Sequence, residues 1–220
     1  MADSYEQIRV ERNEAAAIIT LNRPEKFNAY TAQMGAELTR AINAASEDDA
    51  VRAIILTGEG KHFCAGADIS DGASSFDTKS GSGSKNFGGG ERSEDGAGFV
   101  GALFNSKKPV ITAFNGSAVG VGLTMTLPSD FRIAAQGAKF GFVFARRGLP
   151  PEAGSSWFLP QLVGLQQALH WCMTGRVFPA EEALAKGLIS DVVEPDQLIP
   201  AAMEIVREIA ENTAPVSVAL

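Results

Sequence analysis

The chain has 220 residues, 45% of them hydrophobic, which suffices for one sizeable core. Its formal net charge of −7 disfavours nucleic-acid binding, because proteins with that function present a basic surface. Since no run of about 18 apolar residues occurs and the N-terminus lacks the pattern of a signal peptide, we expect a cytoplasmic protein without membrane spans. The two cysteines, Cys64 and Cys172, form neither a disulfide framework nor a metal-ligand set.

Three β-branched runs, each followed by turn residues, divide the first half of the chain. They begin at Ala15, Val51 and Lys108, and they predict a repeated strand-turn unit. After the first run, Thr31 is the predicted N-cap of a helix. The apolar face of that helix is predicted to carry Met34, Leu38, Ile42 and Ala45.

Two glycine-rich turns follow apolar runs, FCAGAD at 63–68 and NGSAVGVG at 115–122. A turn of small residues can direct bare backbone N–H groups at a ligand oxygen, so two such turns could form an oxyanion hole. The alternative is that the glycines merely permit tight turns. Between 71 and 98, fourteen of twenty-eight residues are Gly or Ser, which predicts a mobile loop after the first turn.

Beyond Gly154 the sequence pattern becomes mainly helical. The predicted elements are helices at 155–163, 165–173 and 180–186, a strand at 188–193, and an amphipathic helix bearing Ile199, Val206 and Ile209. We therefore expect an α/β fold, with a core that contains the ligand site over 1–154 and a helical C-terminal part over 155–220.

Several familiar catalytic motifs are absent or incomplete. No third glycine of a dinucleotide fingerprint follows Gly122, and no P-loop occurs. Ser117 does not lie in a GxSxG elbow, and His62 and His170 are the two histidines available as a base, so serine hydrolysis is disfavoured. Cys64, two residues after His62, is interpreted as a small packing residue rather than a thiol nucleophile.

Four motifs in order along the chain resemble the crotonase superfamily, the enoyl-CoA hydratases and isomerases. They are LNRPEKFNAYT at 21–31, FCAGADI at 63–69, KPVITAFNGSAVGVG at 108–122 and GRVFPAEEALAKGLISDVV at 175–193. The resemblance implies a crotonase-like spiral of ββα turns, a coenzyme A thioester as substrate, no permanently bound cofactor, and a homotrimer or dimer of trimers. Family members usually continue into further helices, so the chain looks truncated relative to them.

The resemblance also implies which groups contact the thioester and coenzyme A. The thioester oxygen would be held by the backbone N–H groups of Ala65 and Val121, the latter at a helix start. Arg23 and Lys26 would contact the phosphates of coenzyme A, although a lysine is more often a solvated surface charge. Asp68 has a second interpretation as a helix cap. The segment expected to line the pantetheine and adenine end is Ala65, Gly66, Ala67 and Asp68.

The acid and base residues depart from the hydratase pattern. Typical hydratases carry two glutamates where this chain has Thr124 and Phe144, so the usual two-acid addition of water lacks its groups. Glu152 matches the single carboxylate of Δ3,Δ2-enoyl-CoA isomerases, which implies a double-bond shift with Glu152 as proton shuttle. Burial against Phe142, Phe144 and Trp157 would raise the pKa of Glu152 and make it a better base.

Three alternatives to the isomerase interpretation stay open. Glu152 also suits the first turn of a helix, where an acid is favoured by the helix dipole. The chain could be an enoyl-CoA hydratase of fatty-acid β-oxidation, or a non-catalytic acyl-CoA-binding paralogue that lost its acids. The remaining aromatic residues of this part, Trp157, Phe158 and Trp171, are expected in the core or the acyl pocket.

Overall fold

The computed structural model describes residues 4–70 and 98–219. The predicted loop at 71–98 lies outside the described residues except for Gly98, the first residue of a helix. A six-stranded sheet runs through the molecule, and its neighbouring strands pair in parallel apart from the antiparallel first pair. In spatial order the strands are β1 (Ile8–Asn13), β2 (Ala16–Leu21), β3 (Ala53–Gly58), β5 (Val110–Phe114), β7 (Phe131–Ala135) and β10 (Asp191–Val193).

A second sheet has four strands. Three of them come from three successive turns of the spiral that the chain follows, and the fourth pairs antiparallel at the edge. Its strands, in spatial order, are β4 (His62–Cys64), β6 (Ser117–Val119), β8 (Lys139–Gly141) and β9 (Val177–Pro179). Strands β4, β6 and β8 each follow directly after a strand of the larger sheet, and they pair in parallel with one another. The repeated strand-turn unit is therefore a ββα spiral, as predicted.

Helix α1 (Ala32–Glu47) agrees with the prediction at both its start and its apolar face. The Thr31 side chain accepts a hydrogen bond from the Met34 N–H at 3.0 Å, which caps the helix. Met34, Leu38, Ile42 and Ala45 are all buried. The other helices are α2 (Gly98–Phe104), α3 (Val121–Thr124), α4 (Ser155–Val163), α5 (Leu165–Thr174), α6 (Ala180–Ala185), α7 (Leu198–Asn212) and α8 (Pro215–Ala219).

The strand predicted at 188–193 is shorter, because only β10 over its last three residues is extended. Gly187 has φ of 77°, and the Leu188 N–H donates to the Ala183 carbonyl at 2.9 Å. These residues still close the end of α6, as a left-handed glycine commonly does. Leu188 and Ile189 are nevertheless buried, so their apolar character reflects packing rather than strand pairing.

Two apolar clusters cover the two faces of the six-stranded sheet. One cluster joins the sheet to α1, the small sheet and helices of the C-terminal part. The other joins it to α7, whose Val206 and Ile209 are buried as predicted. Trp171 is buried and stacks on Phe178 with ring centroids 4.1 Å apart, which confirms a core position. None of the helices in residues 4–70 and 98–219 is long and apolar enough to cross a membrane.

Candidate active site

A cavity of about 400 Å³ lies where the two glycine-rich turns approach one another. Its walls come from three segments, 65–69, 119–121 and 143–152, which follow three successive turns of the spiral. Its wall is mostly apolar, and two charged side chains line it, those of Arg147 and Glu152. Within the described ranges, no group of three or more His, Cys, Asp or Glu side chains is placed to hold a metal ion.

The first glycine-rich turn is fixed by backbone hydrogen bonds to the segment before α1. The Gly66 carbonyl accepts from the Tyr30 N–H, and the Asp68 N–H donates to the Tyr30 carbonyl, both at 2.8 Å. The Ala65 N–H donates to the Phe27 carbonyl at 3.0 Å, so this expected oxyanion donor is already engaged. The Ala67 N–H, by contrast, has no acceptor among the described residues, and Ala67 lines the cavity.

The second glycine-rich turn presents the Val121 N–H to the same cavity. Val121 is the first residue of α3, so no earlier carbonyl of the helix accepts from its N–H. Gly120, with φ of 57°, precedes it and accepts from the N–H groups of Leu123 and Thr124 at 3.0 Å. Val121 is therefore at a helix start, as expected, although a helix of only four residues has a small dipole.

The two turns touch each other through Gly122 and Cys64. A Cβ added at Gly122 would lie 2.5 Å from the Cys64 carbonyl oxygen and 2.8 Å from its Sγ, so only glycine fits there. Cys64 is buried, and burial raises the pKa of its thiol to about 12. Cys64 is therefore a packing residue that sets the separation of the turns rather than a nucleophile.

Glu152 lies half-buried in the cavity wall beside Thr124. The Thr124 hydroxyl, itself fully buried, donates a hydrogen bond to Glu152 Oε1. Burial raises the pKa of Glu152, and the hydrogen bond from Thr124 lowers it by less, so the net direction is upward. This direction confirms the expectation from the sequence. Thr124, at a position that the resemblance matches to a glutamate of the hydratases, thus contacts the carboxylate of Glu152.

The aromatic residues expected around Glu152 separate in the structure. Phe144 lines the cavity with Glu152. Phe142 instead stacks on Trp171, 5.9 Å between ring centroids, in the core. The prediction that Trp157 lies in the core or the acyl pocket is wrong, because its side chain is 67% exposed. Helical spacing alone did not reveal that this part of α4 faces away from the core. Phe158 is partly buried, with its ring 5.6 Å from that of Phe104.

The side chains predicted to contact coenzyme A lie beside the first turn. Arg23 Nη2 and Asp68 Oδ2 form an ion pair at 3.0 Å, and both side chains are largely buried. Arg23 also donates to the Ala29 carbonyl at 2.6 Å. Asp68 accepts from the Ser70 N–H and hydroxyl rather than from a described helix. The Arg23 guanidinium therefore holds the first turn through these contacts, whereas the Lys26 side chain is exposed.

Two residues near the cavity were not anticipated. Tyr30 is close enough to Glu152 and Cys64 for their charges to act on it, and burial together with those charges raises the pKa of Tyr30 to about 12. Arg147 lines the cavity from the short helical turn at Ala145–Arg147. Tyr30 lies within the motif at 21–31 and Arg147 lies five residues before Glu152, but nothing in their spacing distinguishes them from surface residues.

Residues 11–220 match the model of the family described as Enoyl-CoA hydratase/isomerase. Enoyl-CoA hydratase ACTT3 of Alternaria alternata is 39% identical over 226 residues, covering 100% of this chain and 72% of its own length. The crystal structure of enoyl-CoA hydratase EchA12_1 from Mycobacterium marinum has a TM-score of 0.78 and 39% identity, covering 97% of this chain and 93% of that one.

A crystal structure of a monofunctional enoyl CoA isomerase from M. smegmatis has a TM-score of 0.77 and 30% identity, covering 97% of this chain and 88% of that one. These TM-scores show that both neighbours share the fold described above, and the family match extends across both glycine-rich turns and the Glu152 segment. The chain therefore belongs to the enoyl-CoA hydratase/isomerase family.

Proposed function

We propose that this protein shifts a double bond in an enoyl-CoA thioester, with Glu152 as the single proton shuttle. The observation that carries this proposal is that Glu152 is the one carboxylate among the described residues of the cavity wall. Thr124 and Phe144 stand where the two acids of the usual hydratase chemistry would be. A double-bond shift requires only one carboxylate, because the same group removes and returns the proton.

The proposed reaction has two proton transfers on one side of the substrate. The Glu152 carboxylate removes a proton from C2 of a 3-enoyl thioester, and the electron pair of that C–H bond delocalises onto the thioester oxygen as a dienolate. The protonated Glu152 then returns the proton at C4, which leaves a 2-enoyl thioester. A raised pKa suits this role, because a carboxyl of ordinary pKa is a weak base toward a thioester α-proton.

The dienolate oxygen would be held by two backbone N–H groups, those of Ala67 and Val121. This assignment keeps Val121 from the sequence analysis and replaces Ala65, whose N–H donates to Phe27. Both chosen groups lack acceptors in residues 4–70 and 98–219 and border the cavity. Loss of one such donor typically costs about 3 to 4 kcal/mol of transition-state stabilisation.

Coenzyme A would extend from the thioester past the first turn. We propose that the backbone of 65–68 lines its path and that Lys26, exposed and next to this turn, contacts a phosphate. Arg23 would act indirectly, since it holds Asp68 and the Ala29 carbonyl. No permanently bound cofactor is needed for this chemistry.

Hydration of a 2-enoyl-CoA is the second candidate, favoured by the names of similar proteins such as the Alternaria alternata hydratase. In this case Glu152, oriented by the Thr124 hydroxyl, would take a proton from the attacking water and deliver it to C2. The test is to incubate the protein separately with a 3-enoyl-CoA and a 2-enoyl-CoA of the same length. Isomerisation exceeding hydration supports the proposal, whereas rapid hydration that survives Glu152→Gln contradicts it. Tight binding without turnover of either thioester would indicate an acyl-CoA-binding protein.

We also propose that the chain assembles as a homotrimer or a dimer of trimers. Helix α5 presents an apolar stripe to solvent at successive turns, formed by Leu165, Leu169 and Met173, which are 63%, 42% and 72% exposed. Exposed apolar surface of this kind is typical of a protein interface. Gel filtration with light scattering measures the assembly directly. A monomer at micromolar concentration would contradict this proposal.

A further inference from the structure

Arg147 places a positive charge on the wall of the candidate active site. Its side chain lines the cavity and is exposed, and none of the ion pairs in residues 4–70 and 98–219 includes it. The residues beside it in the wall, Phe144 and Leu149, are apolar. Glu152, the other charged residue of the wall, is hydrogen-bonded to Thr124 and makes no ion pair with Arg147. Arg147 therefore brings to the cavity a positive charge that no anion of the described residues pairs with.

The local backbone places Arg147 at the edge of the cavity. Ala145–Arg147 form a short helical turn that ends at Gly148, with φ of 68°, and the Leu149 N–H donates to the Phe144 carbonyl at 3.0 Å. The adjacent Arg146 is directed elsewhere, since its Cγ lies 2.6 Å from where a Cβ at Gly175 would be. Two neighbouring arginines thus differ in surroundings: one packs on α5's end, and the other borders the cavity.

A guanidinium beside an apolar wall is suited to a carboxylate. Arg presents two parallel N–H groups that match the two oxygens of a carboxylate, and such charge-assisted pairs are stronger than neutral hydrogen bonds. The side chains of Phe144 and Leu149, in the same wall, offer no competing acceptor. A wholly aliphatic acyl chain would leave this charge without a partner and would gain nothing from it.

The position of Arg147 favours the acyl end of the substrate over the coenzyme A end. Arg147 and Glu152 lie on the same segment, after the strand β8, whereas the proposed coenzyme A contacts lie before α1 and in the first turn. A thioester carbonyl held between Ala67 and Val121 would direct its acyl chain toward the Glu152 segment. The end of that chain would then approach the Arg147 side of the cavity.

We propose that Arg147 is a specificity-determining residue that binds a carboxylate at the far end of the acyl chain, so that the preferred substrates are ω-carboxyacyl-CoA thioesters. This proposal rests on the acyl-CoA site proposed above. It predicts that the protein discriminates between two thioesters of equal length that differ only in a terminal carboxylate.

The experiment measures equilibrium binding, which does not depend on turnover. Isothermal titration calorimetry gives Kd for succinyl-, glutaryl-, adipoyl- and suberoyl-CoA and for the butyryl-, pentanoyl-, hexanoyl- and octanoyl-CoA that match them. We expect one ω-carboxyacyl thioester to bind on the order of 10-fold more tightly than its alkanoyl partner, as one charge-assisted contact allows. Arg147→Met should abolish this preference. Arg147→Lys should retain part of it, because lysine keeps the positive charge but lacks the two parallel N–H groups of the guanidinium.

Arg146→Met is the matched control, since it removes a guanidinium one residue away that borders Gly175 instead. It should leave the preference ratio as in the wild-type protein. Equal Kd values for the two series at every length would overturn the Arg147 proposal while leaving the acyl-CoA site intact. So would an Arg147→Met variant that weakens both series equally, because this indicates a contact with a coenzyme A phosphate. Failure of both series to bind would contradict the proposed function itself, and the Arg147 proposal with it.

Discussion

The Thr124 hydroxyl donates a hydrogen bond to the carboxylate of Glu152, so a helix that starts in the second glycine-rich turn contacts the acid of the following chain turn. The bond stabilises the charged form of Glu152, while burial disfavours that form. These opposing effects leave a carboxylate that can lose and regain a proton within the cavity. Substitutions of Glu152 and Thr124 therefore test the proposed chemistry most directly.

Glu152→Gln should reduce kcat/KM for isomerisation of a 3-enoyl-CoA on the order of 10³-fold, because the amide cannot accept the C2 proton. The measurement is the absorbance change of the conjugated product at saturating and limiting substrate. Glu181→Gln, which changes an exposed acid in the first turn of α6, is the matched control and should retain near wild-type activity. Equal losses in the two variants would argue against a proton shuttle at Glu152.

Thr124→Val should move the acidic limb of the pH–rate profile to higher pH. Since the hydrogen bond from Thr124 lowers the pKa of Glu152, its removal lets burial raise that pKa further. A base must be deprotonated to act, so activity in the variant should appear only at higher pH than in the wild type. Thr124→Ser keeps a hydroxyl and should restore the profile. A shift of the limb toward lower pH would contradict the role assigned to this bond.

Gly122→Ala should lower kcat by separating the two turns. The added Cβ would meet the Cys64 backbone at 2.5 Å, and relief of such overpacking typically costs about 1 to 3 kcal/mol of unfolding free energy. Gly137→Ala is the control for stability, because its φ of 80° makes it strained although no atom lies within 4 Å of the added Cβ. Urea unfolding and kcat should show that both variants lose stability but only Gly122→Ala loses activity.

Arg23→Met and Lys26→Met should show that Arg23 stabilises the first glycine-rich turn and that Lys26 contacts the ligand. Loss of the largely buried Arg23 partner leaves Asp68 uncompensated, so we expect the unfolding free energy to fall by about 1 to 3 kcal/mol. Lys26→Met should leave stability unchanged within about 0.5 kcal/mol, as for most surface substitutions. It should instead raise Kd for coenzyme A thioesters and reduce the salt dependence of binding. If Lys26→Met lowered stability and Arg23→Met weakened binding alone, these two assignments would be wrong.

The fold and the location of the site follow largely from local sequence signals. The α1 cap at Thr31, the three β-branched runs and the two glycine-rich turns each depend on neighbouring residues, so the sequence predicted them well. The expected raised pKa of Glu152 also holds, although only Phe144 of the three proposed aromatic neighbours lies beside it. The local signals suggested an oxyanion hole, and the resemblance to a family supplied the expected substrate and reaction.

The details that the sequence missed depend on contacts between distant segments. Whether the Ala65 N–H is free depends on the Phe27 carbonyl, and the environment of Arg23 depends on Asp68, forty-five residues later in the chain. The outward face of Trp157 is decided by which side of α4 packs against the core. Such long-range pairings leave no periodic signal in the sequence, because they depend on how distant segments pack together.

The construction of the cavity from three successive turns of the spiral has a consequence for how this protein can change. Each turn is anchored by its own pair of strands, so the registers of β3, β5 and β7 hold the turns in place whatever lies between them. A substitution in one of the three wall segments can therefore leave the other two segments in place. Under the roles proposed above, a single substitution of Arg147 would change substrate preference, while the backbone N–H groups of Ala67 and Val121 would keep their positions beside the strands.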